Sequence, residues 1–375
     1  GKTDGIFGSG DAIEFYGVGL DTPSTDIRVY WLVAGSSPGK RIQEFKGYSG
    51  SLGSLSSSSF PYTLVSKDRT IYFSALRNGE EENFFGSVVY MGRVDQVLDI
   101  KHLDSGTSED ALLEVVLQGV TSGSHRVKVL LNETEVGELV FEGQARGLFK
   151  VEVSQSGLLE GENLVSLIPL GGEMDVSLVD TIKLTYWHTY RADGDRLRFT
   201  VQAGSQLTLS GFSHSRIRVF DITDPNAVIE VLGKVGSQEG GYSVTFRAPG
   251  MGLRTLLAFS GEGVKYPEGI VSNQPSSWNQ VRDGYDLVMI SHRDFLNTLQ
   301  PLKALRESQG LRVALIDIED LYDEFSFGNK SPKAIRDFLA SAKSNWKRPP
   351  RFVLLVGDAS FDPRNYLGMG DYDFV

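Results

Sequence analysis

A multidomain protein is predicted, with all-β sandwich and jelly-roll regions leading into the beginning of an α/β domain built on a parallel sheet. Three observations predict it. Six short strand-like runs fall between residues 91 and 190, separated by glycine, serine and asparagine. Many short strands with frequent turns form sandwiches or jelly rolls. Beyond residue 271, apolar runs alternate with segments of helical period, which calls for parallel strands joined by right-handed crossovers. The last of these runs, 352–356, is apolar throughout, with Pro349 and Pro350 before it and Gly357 after it. A strand apolar on both faces belongs in a sheet covered on both sides.

Residues 1–90 read as an amino-terminal β region, with runs at 12–16, 27–33 and 70–74 rich in β-branched and aromatic residues. Tyr30, Trp31, Tyr72 and Phe73 are assigned to a core, the usual place for aromatic side chains in β-domains, over an exposed binding platform. The serine-rich stretch 52–59 reads as a loop and Glu80, Glu81 and Glu82 as a solvated turn. Residues 91–190 form the jelly roll, with runs at 112–117, 125–131, 137–141, 149–153, 163–168 and 181–186. Its turn at Gly161 and its closing run resemble galactose-binding-like jelly rolls. That fold hosts many roles, so packing or substrate presentation is favoured over carbohydrate binding. Residues 191–270 form a small β-sandwich unit: 197–201 and 217–221 alternate apolar and polar, and 242–246 and 255–259 complete it. The glycine, proline and serine of 261–280 mark a boundary.

Residues 271–375 form the α/β domain. After the run 285–290, Phe295, Leu299, Leu302 and Leu305 share one helical face. Pro301 separates or kinks the first turn, and Gly310 suits the left-handed position that closes a helix. The next strand is 312–316. Ser331 and Pro332 then read as N-cap and first helical residue, and Ala334, Ile335, Phe338, Leu339 and Ala342 as the buried face. Just past the carboxyl end of 352–356 stand Asp358, Ser360 and Asp362, where open α/β sheets gather catalytic groups, so these three are the candidate active-site rim. Turn capping is the competing role for the aspartates. Asp358, Asp362, Asp371 and Asp373 also make a candidate calcium site, since hard cations take carboxylate oxygens, although the spacing is not that of an EF-hand. Turn capping and rim electrostatics are preferred to calcium, and no cofactor is required.

Three blocks, 317–328, 331–339 and 354–363, resemble the gingipain family of cysteine peptidases, in the branch that contains the type nine secretion sortase. Segments at 11–17, 30–32, 180–186 and 220–225 extend the resemblance over nearly the whole chain. It implies a caspase-like α/β peptidase domain, secretion or display at the cell surface, a protein or peptide substrate, and attack on a peptide bond through a thioacyl intermediate. In that family the histidine lies in a Gly-His-Gly segment and the cysteine ends a later strand. This chain has no cysteine, and none of its five histidines lies between two glycines. Thiolate and base must lie within hydrogen-bond reach, so no catalytic residue is assigned in this chain, which is expected to be inactive alone. It reads as the amino-terminal part of such a peptidase, ending inside the catalytic domain. The alternative is a non-catalytic surface binding or assembly module, with carbohydrate binding through the jelly roll.

Composition narrows the classes further. A net charge of −11 disfavours nucleic acid, which calls for a basic face. No apolar run approaches the roughly 18–20 residues of a transmembrane helix. The start, Gly1-Lys2-Thr3-Asp4, carries no methionine and no signal peptide and reads as a processed or recombinant product. Family sheets have more strands than the three legible here, so 352–356 is expected at an edge. Either the remainder of the catalytic domain or self-association would cover it.

Overall fold

The structure, a computed structural model, describes residues 8, 10–35, 39–47, 58–238, 240–261 and 263–369. The chain forms two units: residues 1–16 with 38–266, and 17–37 with 267–375.

The first unit holds two β-sandwiches. In the jelly roll, one sheet runs Arg146–Ser154, Asp110–Gly119, Ser177–Thr189, Ser59–Ser66, and the other runs Val94–Ile100, Gly161–Pro169, Ser124–Leu131, Thr134–Glu142. All these pairings are antiparallel. Alternation sends Leu113, Val115, Leu117, Val127, Val129, Val165, Leu167, Ile182 and Leu184 into one shared core. In the second sandwich a five-stranded sheet ends in Arg196–Gln202 and faces a three-stranded sheet centred on Gly241–Arg247. Phe199, Leu209, Phe212, Val244, Phe246 and Leu256 fill the space between them.

Residues 1–90 do not form a region of their own. Ser59–Ser66 is an edge of the jelly-roll sheet, whereas Gln43–Lys46 pairs in parallel with Ile229–Leu232 of the second sandwich. The expected strands 12–16 and 27–33 are absent, and of 70–74 only Ile71–Tyr72 is a strand. Aromatic and β-branched content alone does not make a strand where no partner edge is offered. Tyr30 and Trp31 are 45% and 44% exposed, contrary to the core assignment. Each is tied down through its polar atom: Tyr30 Oη donates to the Val18 carbonyl at 2.9 Å and Trp31 Nε1 to the Phe327 carbonyl at 3.1 Å. Most of the serine-rich stretch 52–59 lies outside the described residues.

In the α/β unit the parallel sheet has the order Val313–Asp317, Leu287–Ser291, Phe352–Val356, with the first strand in sequence at the centre. Helices α1 (Arg293–Leu296) and α2 (Gln300–Ser308) are separate, with Pro301 in the first turn of α2. Leu299 and Leu302 cover the face carrying Leu287, Met289 and Val313. Helices α3 (Ile318–Ser326) and α4 (Pro332–Asn345) cover the other face, over Val288, Ile290, Ala314 and Ile316. Ser331 caps α4 by accepting from Lys333 N at 3.2 Å. The expected order omits α3, although Ile318, Leu321, Tyr322 and Phe325 repeat at helical spacing behind Asp317, its N-cap.

One buried polar cluster fixes the jelly roll's turn region. Asp175 Oδ1 lies 2.8 Å from His125 Nδ1, and its Oδ2 accepts from Arg126 N at 3.0 Å and Gly171 N at 3.1 Å. His125 and Asp175 are 0% and 1% exposed, and the imidazole stacks on Phe141 at 4.6 Å. Removing one partner of such a buried pair strands the other. Asp175→Ala should destabilise this domain by about 3–5 kcal/mol, measured by chemical denaturation; a change below about 1 kcal/mol would count against this role.

Candidate active site

The carboxyl ends of the three parallel strands meet at one rim. The register sets Ser291 beside both Asp317 and Val356, so the residues that follow each strand emerge together. Ser291 is buried and its Oγ donates to the His292 carbonyl at 3.1 Å. His292 is the N-cap of α1, its Nδ1 accepting from Asp294 N at 3.4 Å. Asp317 caps α3 by accepting from Glu319 N at 3.1 Å, and Arg293 Nε stands 3.7 Å from its Oδ2. A carboxylate at a helix N-terminus satisfies amides that have no partner within the helix.

The three residues singled out in sequence separate into two kinds. Asp358 is exposed, directly after Gly357 at the rim. Asp362 is 1% exposed and accepts from Tyr366 N at 2.9 Å and Leu367 N at 2.8 Å, one amide to each oxygen. Ser360 Oγ accepts from Asp362 N at 3.0 Å. Ser360 and Asp362 are thus brought together as the frame of the loop that leaves the third strand. Among the described residues no group of three or more His, Cys, Asp or Glu side chains converges to hold a metal ion. Asp371 and Asp373 of the candidate calcium set lie outside the described residues.

Two anchors are not apparent from sequence spacing. Arg364 bonds Asp21, the Thr22 carbonyl at 3.0 Å and Asp26 at 2.9 Å, and its guanidinium lies 5.0 Å from the Tyr366 ring centre. Burial works against its charge, but the Asp21 hydrogen bond and the neighbouring acidic groups outweigh that and raise its pKa. Glu324 of α3 gathers Trp278 N and Asn279 N, each at 2.8 Å, so it holds the segment entering the domain. Beside it, burial pushes the Asp320 carboxyl above its usual range, opposed by the bond from Trp278 Nε1 at 3.1 Å. These contacts join residues some 40 to 340 positions apart, which local sequence patterns do not reveal.

Among the described residues, the third strand is left exposed on both faces. Phe352, Val353, Leu354 and Leu355 are 50%, 43%, 37% and 59% exposed, while the central strand Leu287–Ser291 is buried throughout. The α/β unit thus defines a class: a doubly wound, caspase-like sheet whose rim sits at the carboxyl ends of its strands, attached to a chain of β-sandwiches. Residues 280–375 match the model of Peptidase family C25.

The crystal structure of dimeric latent PorU from Porphyromonas gingivalis shares the fold with a TM-score of 0.61 at 16% identity, over 87% of this chain and 32% of that one. The chain therefore spans about a third of the length of that relative. The CBM36-1 domain of a multidomain xylanase from the hindgut metagenome of Trinervitermes trinervoides aligns at 12% identity over 33% of this chain and 96% of its own, with a TM-score of 0.24, too low to carry an argument. No curated protein matches this chain in sequence.

The loop after the third strand supplies a direct check. Asp362→Ala frees two amides at once, and each charge-assisted bond contributes about 1.5–3 kcal/mol. Hydrogen exchange at Tyr366 and Leu367 should accelerate by roughly tenfold or more, with the central strand unchanged. Unaltered exchange at both amides would remove Asp362 from this role.

Proposed function

We propose that this chain serves a secreted or cell-surface cysteine peptidase of gingipain type, acting on a peptide bond of a protein or peptide by hydrolysis or transpeptidation. The chain supplies the β-sandwiches and the first three strands of the catalytic sheet. Its sequence contains no cysteine, so the nucleophile and its histidine come from polypeptide outside it. The observation that carries the reading is the uncovered third strand of a sheet that matches the peptidase family. Four apolar residues on the two faces of one edge strand call for a further strand and covering helices, which is where the reacting groups would stand.

Asp358, at the rim, would then border the substrate cleft, and Ser360 and Asp362 would hold the loop beside it. For Asp358 and Asp362, turn capping and rim electrostatics are favoured over a calcium site, as both Asp362 oxygens already accept backbone amides; metal-dependent thermal stabilisation would reverse that preference. The jelly roll packs or presents substrate. Among the described residues no helix is long and apolar enough to cross a membrane.

The whole protein that carries this chain should react with a thiol-directed peptidyl inhibitor and cleave or transfer peptides, whereas residues 1–375 alone should do neither. In the whole protein, Leu355→Lys places a charge where the next layer should pack and should abolish activity; Lys40→Ala, an exposed residue of the first unit, should not. Thiol-independent activity from the cysteine-free chain would overturn the assignment.

A further inference from the structure

The chain leaves the first unit after residue 16, contributes 17–37 to the α/β unit, and returns to the first unit at 38. The described part of that excursion, 17–35, forms neither helix nor strand. With no ladder to fix it, its place depends on a few specific bonds, and the α/β unit supplies two holds for it.

The first hold is Arg364, in the loop that leaves the third strand at the rim. Its side chain is 11% exposed, and its partners stand 338 to 343 positions away. Nη1 donates to Asp21 and, at 3.0 Å, to the Thr22 carbonyl, while Nη2 donates to Asp26 at 2.9 Å. The turn that receives it is shaped by hydroxyls. Thr22 Oγ1 accepts from Thr25 N at 3.1 Å and donates to the Thr25 carbonyl at 2.9 Å, and Thr25 Oγ1 accepts from Ile27 N at 3.0 Å. Because the Thr22 hydroxyl takes the Thr25 amide, the Thr22 carbonyl is left for the guanidinium. On the other side of the contact, Arg364 lies within the turn that Asp362 frames, where Asn365 N also donates to the Asp362 carbonyl at 3.1 Å.

The second hold is the turn between α3 and α4. Phe327, the left-handed C-cap of α3, offers its carbonyl to Trp31 Nε1. Asn329 Oδ1 accepts from Val29 N at 3.3 Å, and its Nδ2 donates to the Ser326 carbonyl at 2.8 Å. Gly328 packs so closely that a side-chain carbon there would lie 2.8 Å from Val29 Cγ1. Residues 21–31 thus run from the rim loop to the α3–α4 turn. Without Asp21 and Asp26, the mostly buried guanidinium would keep only the Thr22 carbonyl and the Tyr366 ring, which costs far more than losing an exposed ion pair.

We propose that residues 17–35 are a strap that holds the rim loop 358–368 in shape, with Arg364 as the positioning residue that fastens it. Its consequence for peptide binding rests on the reading of that loop as a border of the substrate cleft.

Amide hydrogen exchange in residues 1–375 tests the strap independently of any activity. Arg364→Gln, and separately Asp21→Asn combined with Asp26→Asn, should speed exchange at Asn365, Tyr366 and Leu367 about tenfold, the worth of one charge-assisted bond. Exchange in Leu287–Ser291 should not change. Arg364→Lys keeps a charge that reaches one carboxylate and should fall between wild type and Arg364→Gln. Arg28→Gln, exposed on the strap and outside these contacts, should have no effect. The aspartate pair lies on the exposed side of the contact, so it tests the strap even where Arg364→Gln folds poorly. In the whole protein, the Arg364→Gln and aspartate-pair variants should raise KM for a peptide with kcat near that of the wild type. Unchanged exchange in the aspartate pair, or equal acceleration in Arg28→Gln, overturns the strap whatever the activity. Faster exchange with an unaltered KM overturns the positioning role. Faster exchange in a protein whose wild type cleaves no peptide supports the strap and overturns the peptidase reading instead.

Discussion

The α/β unit depends on one hydrogen-bonded ladder, in which Leu287–Ser291 pairs in parallel with a strand on each side. That strand is buried on both faces, which fixes helices on both sides of the sheet and aligns the carboxyl ends at a single rim. On one side the requirement is met: Val313–Asp317 is covered by α2 on one face and by α3 and α4 on the other. On the other side it is not. Phe352–Val356 pairs through its backbone while its side chains stay in water on both faces. Natural edges carry lysine, proline or a bulge to discourage further pairing, and this strand has none of these. Among the described residues, no strand pairs with its outer edge.

The β-sandwiches are bound to each other by a shared strand. Ser59–Ser66 closes the jelly-roll sheet, yet Phe60 sits in the core of the second sandwich, against Tyr190 and Phe199. At the same junction, buried His188 and half-buried Asp193 lie 3.3 Å apart, Nε2 to Oδ2. Asp195 holds the loops around it together through the Ser213 and Ser260 hydrogen bonds.

Much of this was legible in sequence where the cause is local. Pro301, Gly310 and the Ser331-Pro332 pair act through their own backbone geometry, and each stands where its helix starts or ends. The position of Phe352–Val356 at an edge followed from the strand order of doubly wound sheets. What failed depends on distant partners. Residues 12–16 and 27–33 have the composition of strands but no edge to join, and Tyr30 and Trp31 are held by hydrogen bonds where burial was expected. Asp362 was noticed as a rim residue, and its burial beneath two amides belongs to the folded loop.

The central claim is that Phe352–Val356 offers an unpaired apolar edge to further backbone. Light scattering of residues 1–375 at rising concentration, beside a Leu355→Lys variant, measures this most directly. The account predicts concentration-dependent association, or a retained polypeptide visible by mass spectrometry, and a variant that stays monomeric because a charge blocks the edge. A wild-type chain that remains a partner-free monomer at every concentration would contradict it.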